Sequence, residues 1–182
     1  MSPGRFAAVS LVIGLLSASS GRLEAQDQEQ RTKCDEAVQL FRSTDPGLAA
    51  FFDSAAGYVV FPSVGKGAFL VGGAGGSGCL YEKAAIVGKA KLVQVTIGFQ
   101  LGGQSYAELI FLQTGEALED FKKSKLEMSA QVSAVAAASG ASANAKYRVG
   151  VLVFTIAKGG LMYEASVGGQ KFSYTPAAEQ PE

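Results

Sequence analysis

Leu92-Val93-Gln94-Val95-Thr96-Ile97-Gly98-Phe99-Gln100-Leu101 alternates apolar and polar residues over a full strand length. Such a period of two places Val93, Val95, Ile97, Phe99 and Leu101 on one side of a β-strand and Gln94, Thr96, Gly98 and Gln100 on the other. Gly102-Gly103 follows as a turn signal, and Tyr106 to Leu112 reads as the next strand. Upstream, Gly57 marks the change from helical to strand period, with Tyr58 to Phe61 and Ala68 to Val71 as short apolar strands leading to Cys79-Leu80-Tyr81. Downstream, Glu127 to Ala136 alternates again. Val149 to Ile156 is apolar on both sides, as a central strand is. Leu161 to Val167 and Lys171 to Tyr174 complete the set.

Helical spacing is confined to three places. Cys34, Ala37, Val38 and Phe41 fall at i, i+3, i+4 and i+7, giving an amphipathic helix over residues 26–42. Asp45 and Pro46 suit the cap and first turn of a second helix carrying Leu48, Phe51, Phe52 and Ala55. Glu116 to Lys123 forms a short inserted helix with Leu118 and Phe121 inward. The expected fold is therefore α+β and β-dominated. An antiparallel, strongly bent or barrel-like sheet carries N-terminal helices and one short inserted helix.

Composition restricts the chemistry. The chain has 182 residues, no histidine, no tryptophan, 23 glycines and a formal net charge of zero. Neutrality argues against nucleic acid as a partner. Without histidine there is no Ser-His or Cys-His pair, and the commonest zinc ligand is missing, so neither a catalytic site, a metal site nor a cofactor is expected. Glu108 and Glu164, a conceivable carboxylate pair, read as solvent-facing residues of alternating strands. Gly73-Ala74-Gly75-Gly76-Ser77-Gly78 matches the dinucleotide fingerprint only in letters. It runs into a strand rather than a helix, and reads as a turn or bent strand.

The first 25 residues read as a cleaved secretory signal. Arg5 supplies the positive start, Phe6 to Leu16 an apolar run too short to span a bilayer, and Leu23-Glu24-Ala25 a cleavage site. The mature protein is then one domain over residues 26–174 with a polar tail over 175–182, exported to the periplasm or beyond. Export gives Cys34 and Cys79 two alternatives, a disulfide or two separate buried thiols. Gly57-Tyr58-Val59-Val60-Phe61 is echoed by Gly150-Val151-Leu152-Val153-Phe154, each followed by a lysine-glycine turn, at Lys66 and at Lys158. An ancestral duplication or two similar hairpins would give the same echo.

Three ordered blocks resemble the SYLF domain family. They are Gly57 to Gly67 (GYVVFPSVGKG), Leu92 to Gln104 (LVQVTIGFQLGGQ), and Val153-Phe154 through Lys158-Gly159-Gly160-Leu161-Met162-Tyr163-Glu164-Ala165 to Gly168-Gly169-Gln170-Lys171-Phe172. The resemblance covers about residues 30–174. It implies a non-enzymatic protein that binds anionic phospholipid or phosphoinositide headgroups at a membrane surface. A structural or interaction protein of the cell envelope is the alternative. In eukaryotic members an amphipathic helix at the start of the domain contributes to membrane binding, which points here to Arg31, Lys33 and Arg42. Lys66, Lys158 and Lys171, at turns and strand ends, are the further candidates for headgroup contact.

Overall fold

The computed structural model describes residues 7–66, 73–95, 105–126, 128, 134–158 and 169–177. Three helices, α1 (Ala7–Thr44), α2 (Ala49–Ser54) and α3 (Gly115–Lys122), accompany seven strands. The strands are β1 (Gly57–Lys66), β2 (Gly73–Glu82), β3 (Ala85–Val95), β4 (Ser105–Leu112), β5 (Ala134–Ala136), β6 (Val151–Lys158) and β7 (Gln170–Pro176). They form one sheet in the order β5-β6-β4-β1-β2-β3-β7. Every pairing is antiparallel except β5 with β6, so the sheet is mixed rather than wholly antiparallel. The expected strand at residues 68–71 and that at 161–167 lie outside the described residues. So does the end of the alternating stretch at 96–101.

The sheet is strongly bent. β4 and β7 are four places apart, which in a flat sheet is about 19 Å. Yet the Gln170 side-chain amide on β7 donates to Glu108 Oε2 on β4 at 2.9 Å. Phe61 on β1 and Phe172 on β7 likewise stand 6.0 Å apart. Met128 exchanges backbone hydrogen bonds with Gly169 and Gln170, beside the β7 edge. The edge strands β5 and β7 do not pair with each other, so among the described residues the sheet stays open and no barrel closes.

Both faces carry a core. The inner face gathers Val59, Phe61, Leu80, Leu92, Ile110, Val153 and Phe172, with α3 contributing Leu118 and Phe121. The outer face of β1, β2, β4 and β6 gathers Tyr58, Val60, Leu109, Phe111 and Phe154 under the α1 stripe of Cys34, Ala37, Val38 and Phe41. That stripe is the one the helical spacing predicts. α1 begins earlier than expected, however, and runs without a break across Ala25–Gln26.

The 3-10 turn Pro46–Leu48 that follows α1 starts at a cap that reaches across the chain. Asp45 is 1% exposed, and its carboxylate accepts from the backbone N–H groups of Gly47, Gly140 and Ser142. Burial opposes its charge, but the hydrogen bonds from Ser142, Gly47 and Gly140 outweigh it and hold the group below the ordinary aspartate range.

The glycine-rich run is strand β2, and it is glycine because β1 lies so close. A Cβ at Gly78 would stand 2.3 Å from the Val60 carbonyl oxygen, beside the bulge where the β1 register shifts between Val60 and Ser63.

One expectation needs correction. Glu108 does not face solvent; it is fully buried on the inner face. The alternation read over β3 holds between Val93 and Gln94, with Ala90, Leu92 and Gln94 inward and Val93 38% exposed. Gln94 can sit inside because the Tyr106 hydroxyl donates to its Oε1 at 3.1 Å. The echoed segments lie in β1 and β6, which flank β4 on either side. Leu112 pairs with both Gly57 and Val151, so the segments are out of register by one residue. Phe61 then belongs to the inner core and Phe154 to the outer one.

Candidate functional site

Helix α1 is held to the sheet by covalent and polar contacts along β2. Cys34 and Cys79 are joined as a disulfide with Cα atoms 6.2 Å apart. On either side of it, the Gln30 amide donates to the Ser77 carbonyl at 3.2 Å and the Tyr81 hydroxyl to Asp35 Oδ1 at 2.7 Å. Burial, reinforced by the Asp35 carboxylate, raises the Tyr81 hydroxyl far above the ordinary tyrosine range, so it stays protonated and remains a donor.

The expected headgroup cations of this helix do not converge. Lys33 pairs with Glu29 at 2.6 Å. The Arg42 guanidinium lies 3.8 Å over the Phe52 ring. Arg31 is half-buried near Tyr81. Because the apolar stripe is spent on the sheet, in this conformation it cannot also enter a bilayer. Arg42, Asp35, Gln39, Tyr58 and Tyr81 instead border a groove of about 340 Å³.

Lys66 and Lys158 stand at one end of the sheet. Lys158 pairs with Ser105, the first residue of β4. Lys66 lies two residues beyond Val64, which pairs with Tyr106 on the other side of β4. Their backbones therefore flank the start of β4 about 10 Å apart, two strand spacings.

The sheet sets one of the expected candidates, Lys171, in a larger basic surface with Lys89 and Lys91. α1 packs on β1 and β2, while the outer face of β3 and β7 carries a row of exposed residues. On that face Lys89 pairs in register with Thr175, Lys91 with Ser173, and Val93 with Lys171. All six are exposed. Neither strand contains an Asp or Glu. Lys89 meets Asp27 of α1 in an ion pair. Among the described residues that is the one acidic contact of Lys89. Val93 adds an exposed apolar side chain between the lysines. The signal was in the sequence as Lys89, Lys91 and Val93 at alternate positions. It was obscured because alternation does not say which side of a strand faces the core.

The inner face holds a second unexpected group. Gln94, Tyr106, Glu108 and Gln170 come from three strands and are each at most 7% exposed. Burial pushes Glu108 up to about 7, although the hydrogen bond from Gln170 and the neighbouring Tyr106 hydroxyl work against the rise. Tyr106 is raised beyond the usual tyrosine range, by burial first and by the neighbouring Glu108 second. Glu164 lies outside the described residues. Among the described residues no cluster of three or more His, Cys, Asp or Glu could hold a metal ion, and no helix is long and apolar enough to cross a membrane.

Residues 93–180 match the family described as "Ysc84: Las17-binding protein actin regulator". A relative, "Beta cell expansion factor A" of Aeromonas veronii, is 26% identical over 141 residues, which are 78% of this chain and 54% of that protein. The chain thus spans about half the length of the curated relative it matches.

Proposed function

Because residues 93–180 belong to the SYLF (Ysc84) family, we propose that this protein is a non-enzymatic module that binds anionic phospholipid surfaces through the exposed face of β3 and β7. The family is associated with lipid binding and with actin regulation, and is generally non-enzymatic. One observation carries the assignment to this face: Lys89, Lys91 and Lys171 are exposed together on two neighbouring strands that contain no acidic residue. Each lysine near an anionic surface contributes about 1 kcal/mol, and Val93 supplies apolar contact at the same face.

Export by the segment 1–25 would bring this face to a membrane of the cell envelope. The disulfide between Cys34 and Cys79 supports an oxidising compartment. The natural headgroup is then any anionic one, phosphoinositides being one case.

Co-sedimentation with phosphatidylglycerol and with phosphatidylcholine vesicles tests the reading. Binding is expected on the acidic vesicles alone and is expected to weaken as salt rises. The Lys91→Glu/Lys171→Glu protein should bind at least about 30-fold more weakly, the equivalent of two lysine contacts. Equal binding to both vesicle types would overturn the electrostatic reading. A protein that ignores both would be an interaction protein of the envelope.

A further inference from the structure

The groove of about 340 Å³ beside α1 is bordered by Asp35, Gln39 and Arg42 of the helix, Tyr58 and Tyr81 of the sheet, and Ala84 of the β2–β3 turn. Asp35 and Arg42 are seven residues apart. They therefore share one face of α1, about 10 Å from each other along its axis. Each charged head is fixed by an aromatic side chain. The Tyr81 hydroxyl donates to Asp35 Oδ1 at 2.7 Å, and the Arg42 guanidinium carbon stands 3.8 Å from the centre of the Phe52 ring. The rings form one continuous row. Phe52 meets Tyr58 edge-on with centroids 4.8 Å apart, and Tyr58 stacks on Tyr81, also at 4.8 Å. Tyr58 is 5% and Tyr81 2% exposed, so packed core side chains set the floor of the groove.

This arrangement holds opposite charges apart. Among the described residues neither Asp35 nor Arg42 makes an ion pair, with each other or with a neighbour. Both nevertheless act on one group. Burial raises the Tyr58 hydroxyl above the ordinary tyrosine range; the Arg42 charge works against that rise and the Asp35 charge adds to it. The groove thus has a positive and a negative end around a common phenol. A singly charged ligand would answer only one of them. The turn at its rim is strained as well: Lys83 and Ala84 have φ of 47° and 64°, a left-handed conformation that residues other than glycine rarely adopt.

We propose that this groove binds a small zwitterion, its ammonium group on Asp35 and its carboxylate or phosphate on Arg42. Tyr81 takes one oxygen of Asp35 and leaves the other for an N–H donor. The planar guanidinium of Arg42 suits two oxygens of one anionic group. Gln39 lies between them on the helix, four residues from Asp35 and three from Arg42, and its amide can serve either end of the ligand. Free amino acids and the ethanolamine phosphate headgroup of a lipid share this chemistry. The site is separate from the lysines of β3 and β7 and does not rest on the lipid reading of that face.

Thermal unfolding with β-alanine or phosphoethanolamine tests the site, with propionate and propylammonium as single-charge controls at equal ionic strength. At about five times its Kd a zwitterion should raise Tm by about 2–4 °C, and each control by less than half as much. Asp35→Asn keeps an acceptor for Tyr81 but loses the charge. It should weaken binding at least about tenfold in calorimetric titration, as should Arg42→Gln. Independently of the variants, the amide NMR signals that move on titration should include those of Gln39 and Ala84. Phosphatidylcholine, whose quaternary nitrogen offers no N–H, separates the sources. If the Lys91→Glu/Lys171→Glu protein joins phosphatidylcholine vesicles only when phosphatidylethanolamine is added, the zwitterion is a headgroup. Binding of the free compounds alone makes it a solute. Controls that match the zwitterions, signals that move only elsewhere, or undiminished binding by Asp35→Asn would overturn the proposal.

Discussion

The backbone N–H of Ser142 donates to Asp45 Oδ2 at 2.7 Å across 97 residues of chain. A helix cap is usually a local device, but here one carboxylate caps the turn that starts at Pro46 and anchors the loop that carries Ser142. Asp45→Ala leaves three N–H groups without their acceptor. It should lower stability by about 3 kcal/mol in denaturant unfolding at pH 7. The depressed carboxyl stabilises the fold above the unfolded aspartate range and loses that contribution as pH falls through its folded value. The wild-type advantage should therefore shrink as acid protonates the carboxylate.

Glu108 titrates in the opposite sense. Between the ordinary glutamate range and its folded value of about 7, the folded protein keeps a proton that the unfolded chain has lost. Stability should therefore fall as pH rises across that window and level off above it. The fall attributable to Glu108 is about 3 kcal/mol. Glu108→Gln should flatten the curve by that amount, as measured by denaturant midpoints at pH 5 and pH 8 in sodium salts.

The disulfide closes a separation of 45 residues. On the chain-entropy account it stabilises the fold by about 4 kcal/mol. Cys34→Ala/Cys79→Ala should lower the thermal midpoint accordingly. Dithiothreitol should then have no further effect on that variant while it still lowers the wild type.

Gly78→Val places branched carbon against the Val60 carbonyl and the Phe61 ring. β1 would have to move away from β2 near its bulge. A loss above 3 kcal/mol is expected, from strain against backbone rather than from glycine's flexibility. Gly115→Ala, where a Cβ meets nothing within 4 Å, is the matched control and should gain slightly as a better helix residue.

Val149 sits in a left-handed conformation with φ 51° and is 78% exposed. With Gly150 at φ 75° it forms the tight turn between Arg148 and Val151, a geometry that suits Asn-Gly. Val149→Asn should stabilise the protein by about 1 kcal/mol, seen as a higher urea midpoint with unchanged slope.

Much of the architecture was legible in the chain, and the losses have physical causes. The α1 stripe, the Asp45 restart and the inward Leu118 and Phe121 of α3 follow from spacing alone, because a helix face needs one core only. Which side of β3 faces the core could not be told from its alternation, because polarity alone does not place a valine or a glutamine. A glutamine with the Tyr106 hydroxyl as partner belongs inside, and a valine on the exposed face of the sheet does not have to. Glu108 was misjudged for the same reason: its partner Gln170 is 62 residues away, and local pattern cannot report it. The parallel pairing of β5 with β6 and the choice between bonded and separate cysteines depend on topology, which strand periodicity does not encode. The basic face of β3 and β7 emerged only once register had set Lys91 and Lys171 on one surface.

β4 has a neighbour on each side and a core above and below, and all its residues after Ser105 are buried. Its amide protons can meet solvent only when the whole molecule opens. In deuterium oxide they should be the last to exchange, at a rate set by global unfolding, while β5 and β7 at the rims exchange through local fraying. The strand that carries Glu108 is thus the slowest clock in the protein.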